Sequence, residues 1–323
     1  MSYAQRGRLG RMLLYIPLVG LALIALFPLY WVFVTSLQLP SYQNEEMESP
    51  VSYVESVPPK LYPYGITEYW SQWDKKRDAE KLGDEQAASF HAEKMQEVVA
   101  KTFTTYSYLF KSTDVLKWLW NTTYIAILGT FGTVLFDTMA GYVLAKKQFP
   151  GRMLVFWLII ATMMIPDQVT LVPSFMIVRL LDLFDTHWAV ILPGLAGAFG
   201  VFLMRQFMIA VPSELLEAAK IDGAGEWRTF RTIVIPMAAP AMAALGIFSF
   251  VGLWNSFLWP IIVINDSKML TLTAGLKTLQ DANLSSFKLL MTGAAVAAVP
   301  IMIYFLLFQR YFVKGLTVGG VKE

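Results

Sequence analysis

Cysteine is absent from all 323 residues, which excludes both a disulfide framework and a thiolate metal site. Histidine is almost as scarce: His91 and His187 are the only two, too few and too far apart to suggest a metal cluster. Charge is thin as well, with 15% of residues Asp, Glu, Lys or Arg against roughly 25% in ordinary soluble domains. No G-x-x-x-x-G-K-[ST] stretch occurs, so the chain lacks the loop whose backbone amides cradle nucleotide phosphates. Neither an internal repeat nor a low-complexity tract is visible.

Apolar residues fill the space that charge leaves. They make up 56% of the chain, and the mean hydropathy is +0.50. The solvent that suits such a composition is a bilayer. About 20 consecutive apolar residues cross its hydrocarbon layer. Six runs qualify: Leu13–Leu37, Trp118–Ala145, Met153–Val178, Trp188–Phe207, Ile235–Val263 and Leu289–Phe312. Backbone groups find no water in lipid, so each run is expected to be a helix. The expected fold class is therefore all-α, a polytopic membrane protein with six transmembrane helices. The first run is too long for the apolar part of a cleaved signal peptide and has no clear small-residue cleavage site, so it reads as a retained anchor.

Lys and Arg near the span ends set the orientation. Arg6, Arg8 and Arg11 precede the first span, and Lys146, Lys147 and Arg152 follow the second. Arg205, Lys220, Arg228 and Arg231 flank the loop between the fourth and fifth, and Arg310, Lys314 and Lys322 follow the sixth. If six spans alternate, all four clusters fall on one side, the cytoplasm, with both termini.

One polar segment interrupts the pattern on the opposite side. From Leu39 to Leu116 there are eight bases and thirteen acids, more than half of the 24 acids in the chain. Its first part, "SPVSYVESVPPKLYPYG", is proline-rich and expected to be extended. Its second part, about Thr67 to Thr102, lacks proline and is rich in Glu, Lys, Ala and Gln, which favours helix. Trp70, Trp73, Phe90, Met95 and Val98 suit one imperfect apolar face. A solvated helical hairpin and a docking surface for an external partner are both open readings. The expected divisions are 1–38 (N-terminus and first span), 39–117 (external segment, with a helical insertion at about 66–101), 118–312 (core of five spans, with a loop at 208–235) and 313–323 (tail).

"EAAKIDGAGEWRTF", Glu217 to Phe230, is the other polar interruption. Ser213 is a plausible N-cap. Glu214 and Glu217 suit the positive end of a short amphipathic helix, "ELLEAAKI". Ala218 and Ala219 leave a shallow surface on which another protein can approach closely. Asp222 and Gly223 stop the helix, the glycine supplying a left-handed turn without steric cost. A second short helix is expected at about Glu226 to Ile233, and Pro236 marks the start of the fifth span. The product is either a rigid knob facing a partner or an elbow lying on the lipid headgroups.

This stretch, with its Glu217, Ala218, Ala219, Gly223 and Pro236, resembles the Glu-Ala-Ala loop of ABC importer permeases. "AGYVLAKKQFPGR", "WNSFLWPIIV", "YSYLFKSTDVLKWLWNT" and the tail "QRYFVKGLTVGGVKE" are similar to carbohydrate-importer permeases of the maltose-G type. The likeness covers nearly all the chain except about Ile66 to Lys101. It implies a type I importer permease fold in the bacterial cytoplasmic (inner) membrane. The implied partners are a second permease of the maltose-F type, two ATPase subunits and an extracytoplasmic sugar-binding protein. The Glu-Ala-Ala helix would dock in a cleft of the ATPase as a coupling helix, through Glu217, Ala218, Ala219, Asp222, Gly223 and Pro236. ATP and Mg would be used by the ATPase subunits, and this chain would bind no cofactor and catalyse nothing itself.

Four further residues invite a role. Asp137 lies inside the second span, where an ionised carboxylate is expensive. It is a partner for a base in the second permease, part of a polar cavity, or an Asp packed inside its own bundle. Trp254, Asn255 and Trp259 in the fifth run suit a sugar pathway, since rings stack on sugar faces and amides bond hydroxyls. Trp near an interface is equally expected as an anchor. An intramembrane enzyme would want paired carboxylates or a Ser/His arrangement within the spans. An ion-coupled transporter would show inverted repeats and several membrane charges. Neither pattern is evident. Glycerol phosphates and other solutes remain open beside sugars.

Overall fold

The structure, a computed structural model, describes residues 3–37, 63, 65–282 and 287–317. Among the described residues every regular element is helical. The chain divides into two compact units, Met1–Thr113 with Leu276–Ala298, and Asp114–Gly275 with Val299–Glu323.

The first unit holds α1 (Tyr3–Ser36), α2 (Ile66–Leu82), α3 (Glu85–Thr102) and α4 (Thr104–Ser112). The expected helix at about Thr67 to Thr102 is two helices folded into a hairpin. The break has a local cause. Gly83 adopts φ +74°, and the Asp84 amide returns to the Ala79 carbonyl at 3.0 Å, closing α2. Asp84 then caps α3 by accepting from the Ala87 amide at 2.9 Å. The Gln72 side chain meets His91 across the hairpin at 2.7 Å. Ala79 and Val98 are buried, while Trp70 and Phe90 stay exposed.

The second unit begins with α5 (Val115–Lys146), α6 (Arg152–Thr162), α7 (Asp167–Leu180), α8 (His187–Ile191) and α9 (Ala198–Ile209). It continues through α10 (Ser213–Ile221), α11 (Glu226–Thr229), α12 (Ile235–Trp254) and α13 (Leu258–Val263). A π-helical turn, Phe230–Val234, fuses α11 to α12. Two last helices, α14 (Leu272–Ala282) and α15 (Phe287–Thr317), lie partly in each unit.

Among the described residues, four helices are long and apolar enough to cross a membrane: Tyr15–Ser36, Val115–Lys146, Glu226–Trp254 and Leu289–Gln309. Two bent pairs bring the count to six if each is one span. α6 and α7 meet at 103°, and His187–Gly194 meets α9 at 42°. The third apolar run is therefore not one straight helix. Pro166 disfavours helical backbone at Ile165, so α6 ends at Thr162 and α7 starts after the proline, which is extended at φ −60° and ψ 138°. The fourth run breaks around Pro193 and Gly194, and Gly197 is extended before α9 begins. The fifth stops at Trp254 instead of reaching Val263. A continuous helix would drive the Pro260 ring into the Ser256 carbonyl, and that carbonyl instead accepts from the Thr273 hydroxyl at 2.6 Å.

α5, α9 and α12 pack together around Tyr142, Met204, Met208, Phe230, Val234, Ala241 and Leu245. Lipid is as apolar as these side chains, so close packing rather than escape from water holds them. Gly141 permits that closeness. A Cβ there would stand 2.8 Å from the Arg205 amide nitrogen and 2.9 Å from the Met204 carbonyl carbon.

Candidate functional site: the α10 knob and its anchors

The polar loop leaves α9 through Ala210, Val211 and Pro212. Pro212 holds the position before α10 with extended backbone (φ −59°, ψ 128°), so Ser213 is the first helical residue and not the N-cap. The Ser213 hydroxyl instead lies 3.4 Å from the Lys146 ammonium. α10 ends in a Schellman turn. The Gly223 amide donates to the Lys220 carbonyl at 3.1 Å, and the Ala224 amide to the Ala219 carbonyl at 2.9 Å. Gly223 has φ +76°, the left-handed backbone expected of it, and a side chain there would meet open space.

The helix turns one edge inward. Ala219 is buried and Leu216 half-buried, three residues apart on one face. The shallow surface expected from two alanines is thus offered by Ala218 alone, since the phase of the helix points Ala219 at the bundle. Glu217, Asp222 and Gly223 are exposed. So are three large apolar groups around them, Leu215 (44%), Ile221 (85%) and Trp227 (62%). Pro236, at the second position of α12, is exposed as well.

Both ends of the loop are tied to α5. At its start, the Lys146 ammonium donates to the carbonyls of Val211 at 2.5 Å and Ile209 at 3.3 Å. At its end, Lys147 pairs with the Glu226 carboxylate. Lys147 also stands 5.3 Å over the Tyr142 ring, which in turn meets Phe230 at 5.5 Å, and Phe230 stacks on Trp227 at 5.6 Å. Burial works against the Lys147 ammonium, but its hydrogen bond to Glu226 and the nearby Tyr142 outweigh it and hold its pKa above the ordinary lysine value. Lys146 and Lys147 were legible only as markers of membrane side. Their anchoring role had no sequence signal, because the groups they bind lie more than sixty residues away.

The remaining candidates do not converge on one surface. Trp254 is buried and stacks on Phe250 at 5.7 Å. Trp259 is half-buried and donates its ring N–H to the Ala189 carbonyl at 2.9 Å. Asn255 alone of the three is exposed. Asp137 is fully buried between α5 and α9, and its Oδ1 accepts from the Gly197 amide at 3.0 Å.

Fold and site together define a class: a helical membrane protein of up to six spans that presents one anchored, exposed knob. Residues 137–318 match the family described as binding-protein-dependent transport system inner membrane component. An arabinooligosaccharides transport system permease protein, AraQ of Halalkalibacterium halodurans, is 40% identical over 223 residues, 68% of this chain and 80% of the relative. An sn-glycerol-3-phosphate transport system permease protein, UgpE of Brucella abortus, is 38% identical over 200 residues, 61% of this chain and 71% of the relative. A chain from a bacterial ABC transporter involved in the import of the acidic polysaccharide alginate shares the fold, with a TM-score of 0.69 over 97% of this chain and 99% of that one at 20% identity. The chain belongs to the binding-protein-dependent transport system inner membrane component family. It is a transport permease of the inner membrane.

Proposed function

We propose that the chain is one of two permease subunits of an ATP-driven, binding-protein-dependent sugar importer, forming half of the translocation pathway. In this reading the chain crosses the membrane six times with both termini and the α10 knob in the cytoplasm, which the Lys and Arg clusters support. α10 serves as the coupling helix. Two ATPase subunits hydrolyse ATP with Mg, and a binding protein delivers sugar from outside. The observation that carries this reading is the knob itself. Leu215, Ala218 and Ile221 are exposed at three-residue spacing on α10 beside Glu217, Trp227 is exposed on α11, and Lys146 and Lys147 fasten the loop to the end of α5. Apolar groups exposed on a polar loop mark an interaction site.

Gly223→Val tests it. A β-branched residue in left-handed backbone costs roughly 1–2 kcal/mol or more, so the Schellman turn should open. ATPase copurification and transport should fall while membrane insertion persists. Full copurification and transport in this variant would refute coupling through α10.

Glycerol phosphate or another non-sugar solute is the second reading, favoured by the UgpE relatives. The ligand carried by the associated binding protein separates the two. Among the pathway candidates, exposed Asn255 is best placed to meet a solute, with Trp254 and Trp259 supporting its helix end.

A further inference from the structure

α9 is held at both ends by one neighbour. At its N-terminal end the Asp137 carboxylate accepts from the Gly197 amide, at the 42° bend of the broken fourth span. At its C-terminal end the Lys146 ammonium collects the Ile209 and Val211 carbonyls. Both groups lie on α5, nine residues or about 13 Å apart along its axis. The signs fit the dipole of α9, acid at the amide end and base at the carbonyl end. Between them Gly141 lets the two backbones touch. Gly200 does the same for Asp137, because a methyl there would overlap Oδ2. That second oxygen is buried with no hydrogen-bond partner. A buried polar atom left unpaired is costly, and simple packing of α5 on α9 needs no acid at this position.

We infer that Asp137 is a positioning residue for transport: with Lys146 it clamps α9 to α5, so that α5, α9 and the α10 knob move as one rigid body and displacement of the knob reaches the intramembrane bend undiminished. This rests on the reading of α10 as the coupling helix. Bending of α9 against α5 would dissipate the stroke. The grip at Gly197 fixes where the rigid body ends and the broken span begins.

The test uses the assembled transporter with its ATPase, in liposomes. Cysteines replacing Val143 on α5 and Gln206 on α9, both exposed, are the only label sites on this chain, which has no cysteine of its own, and the complex without them supplies the background. The distance between the two labels should be the same with and without bound ATP. Asp137→Leu, which keeps bulk and loses the acceptor, should broaden that distance. It should lower transport per ATP hydrolysed at least about fivefold, the low end of a coupling free energy. Asp137→Asn keeps an oxygen facing the Gly197 amide and should restore both, which a requirement for volume alone would not explain. An ATP-dependent change in the wild-type distance would overturn the clamp, whether or not the leucine variant assembles. So would unchanged transport per ATP in an assembled Asp137→Leu complex. Failure of the coupling reading looks different: Gly223→Val would then leave ATPase copurification intact, whatever the labels report.

Discussion

At the scale of single residues, two glycines do opposite work. Gly223 is needed for its left-handed backbone, and space around it is open. Gly141 is helical and is needed because the backbone of α9 lies against it. Overpacking costs about 1–3 kcal/mol. Gly141→Ala should therefore destabilise the protein by that amount, read as a lower melting temperature in detergent. Gly246→Ala, whose Cβ would meet Val134 at an ordinary 3.6 Å, should be neutral or stabilising. Equal effects of the two would contradict the close α5–α9 approach. The turn at Gly223 was legible because a Schellman motif is local. The direction of Ala219 was not. A nine-residue helix has too few turns to declare its buried face, and contact with the bundle sets its phase. Ser213 likewise gave way to Pro212 at the N-cap, since its hydroxyl faces Lys146.

At the scale of elements, hydropathy marks six apolar runs but not their shape. An apolar window reads the same through a straight helix and through two halves meeting at 103°. Proline was a poor guide by itself. Pro17, Pro28, Pro173, Pro240 and Pro300 are tolerated inside helices, whereas Pro166 sits at a break. The α2–α3 hairpin lies outside the family match at 137–318. Its ends are set by its own glycines and the Asp84 cap, so it carries its own folding instructions. Deleting Ile66–Lys101 through a short Gly/Ser linker should leave the membrane complex assembled. It should weaken stimulation of ATP hydrolysis by the binding protein, more so at low salt, where an acidic segment steers best. Unchanged stimulation at every salt concentration would make the hairpin a passive addition.

At the scale of the whole molecule, the proposed six-span topology predicts that α10 and the hairpin face opposite sides of the membrane. A cysteine replacing Gly83 should react with an impermeant reagent from outside, and one replacing Gly225 should react only after the membrane is opened. The reverse pattern would invert the topology and remove α10 from the reach of any cytoplasmic ATPase. Coupling itself is tested most directly by cross-linking from the knob. Ala218 is exposed and its neighbour Ala219 is buried, so a short cross-linker on a cysteine at 218 should capture the ATPase polypeptide in the assembled transporter, and one at 219 should not. No ATPase adduct from position 218 in an intact, ATP-hydrolysing complex would contradict coupling through α10.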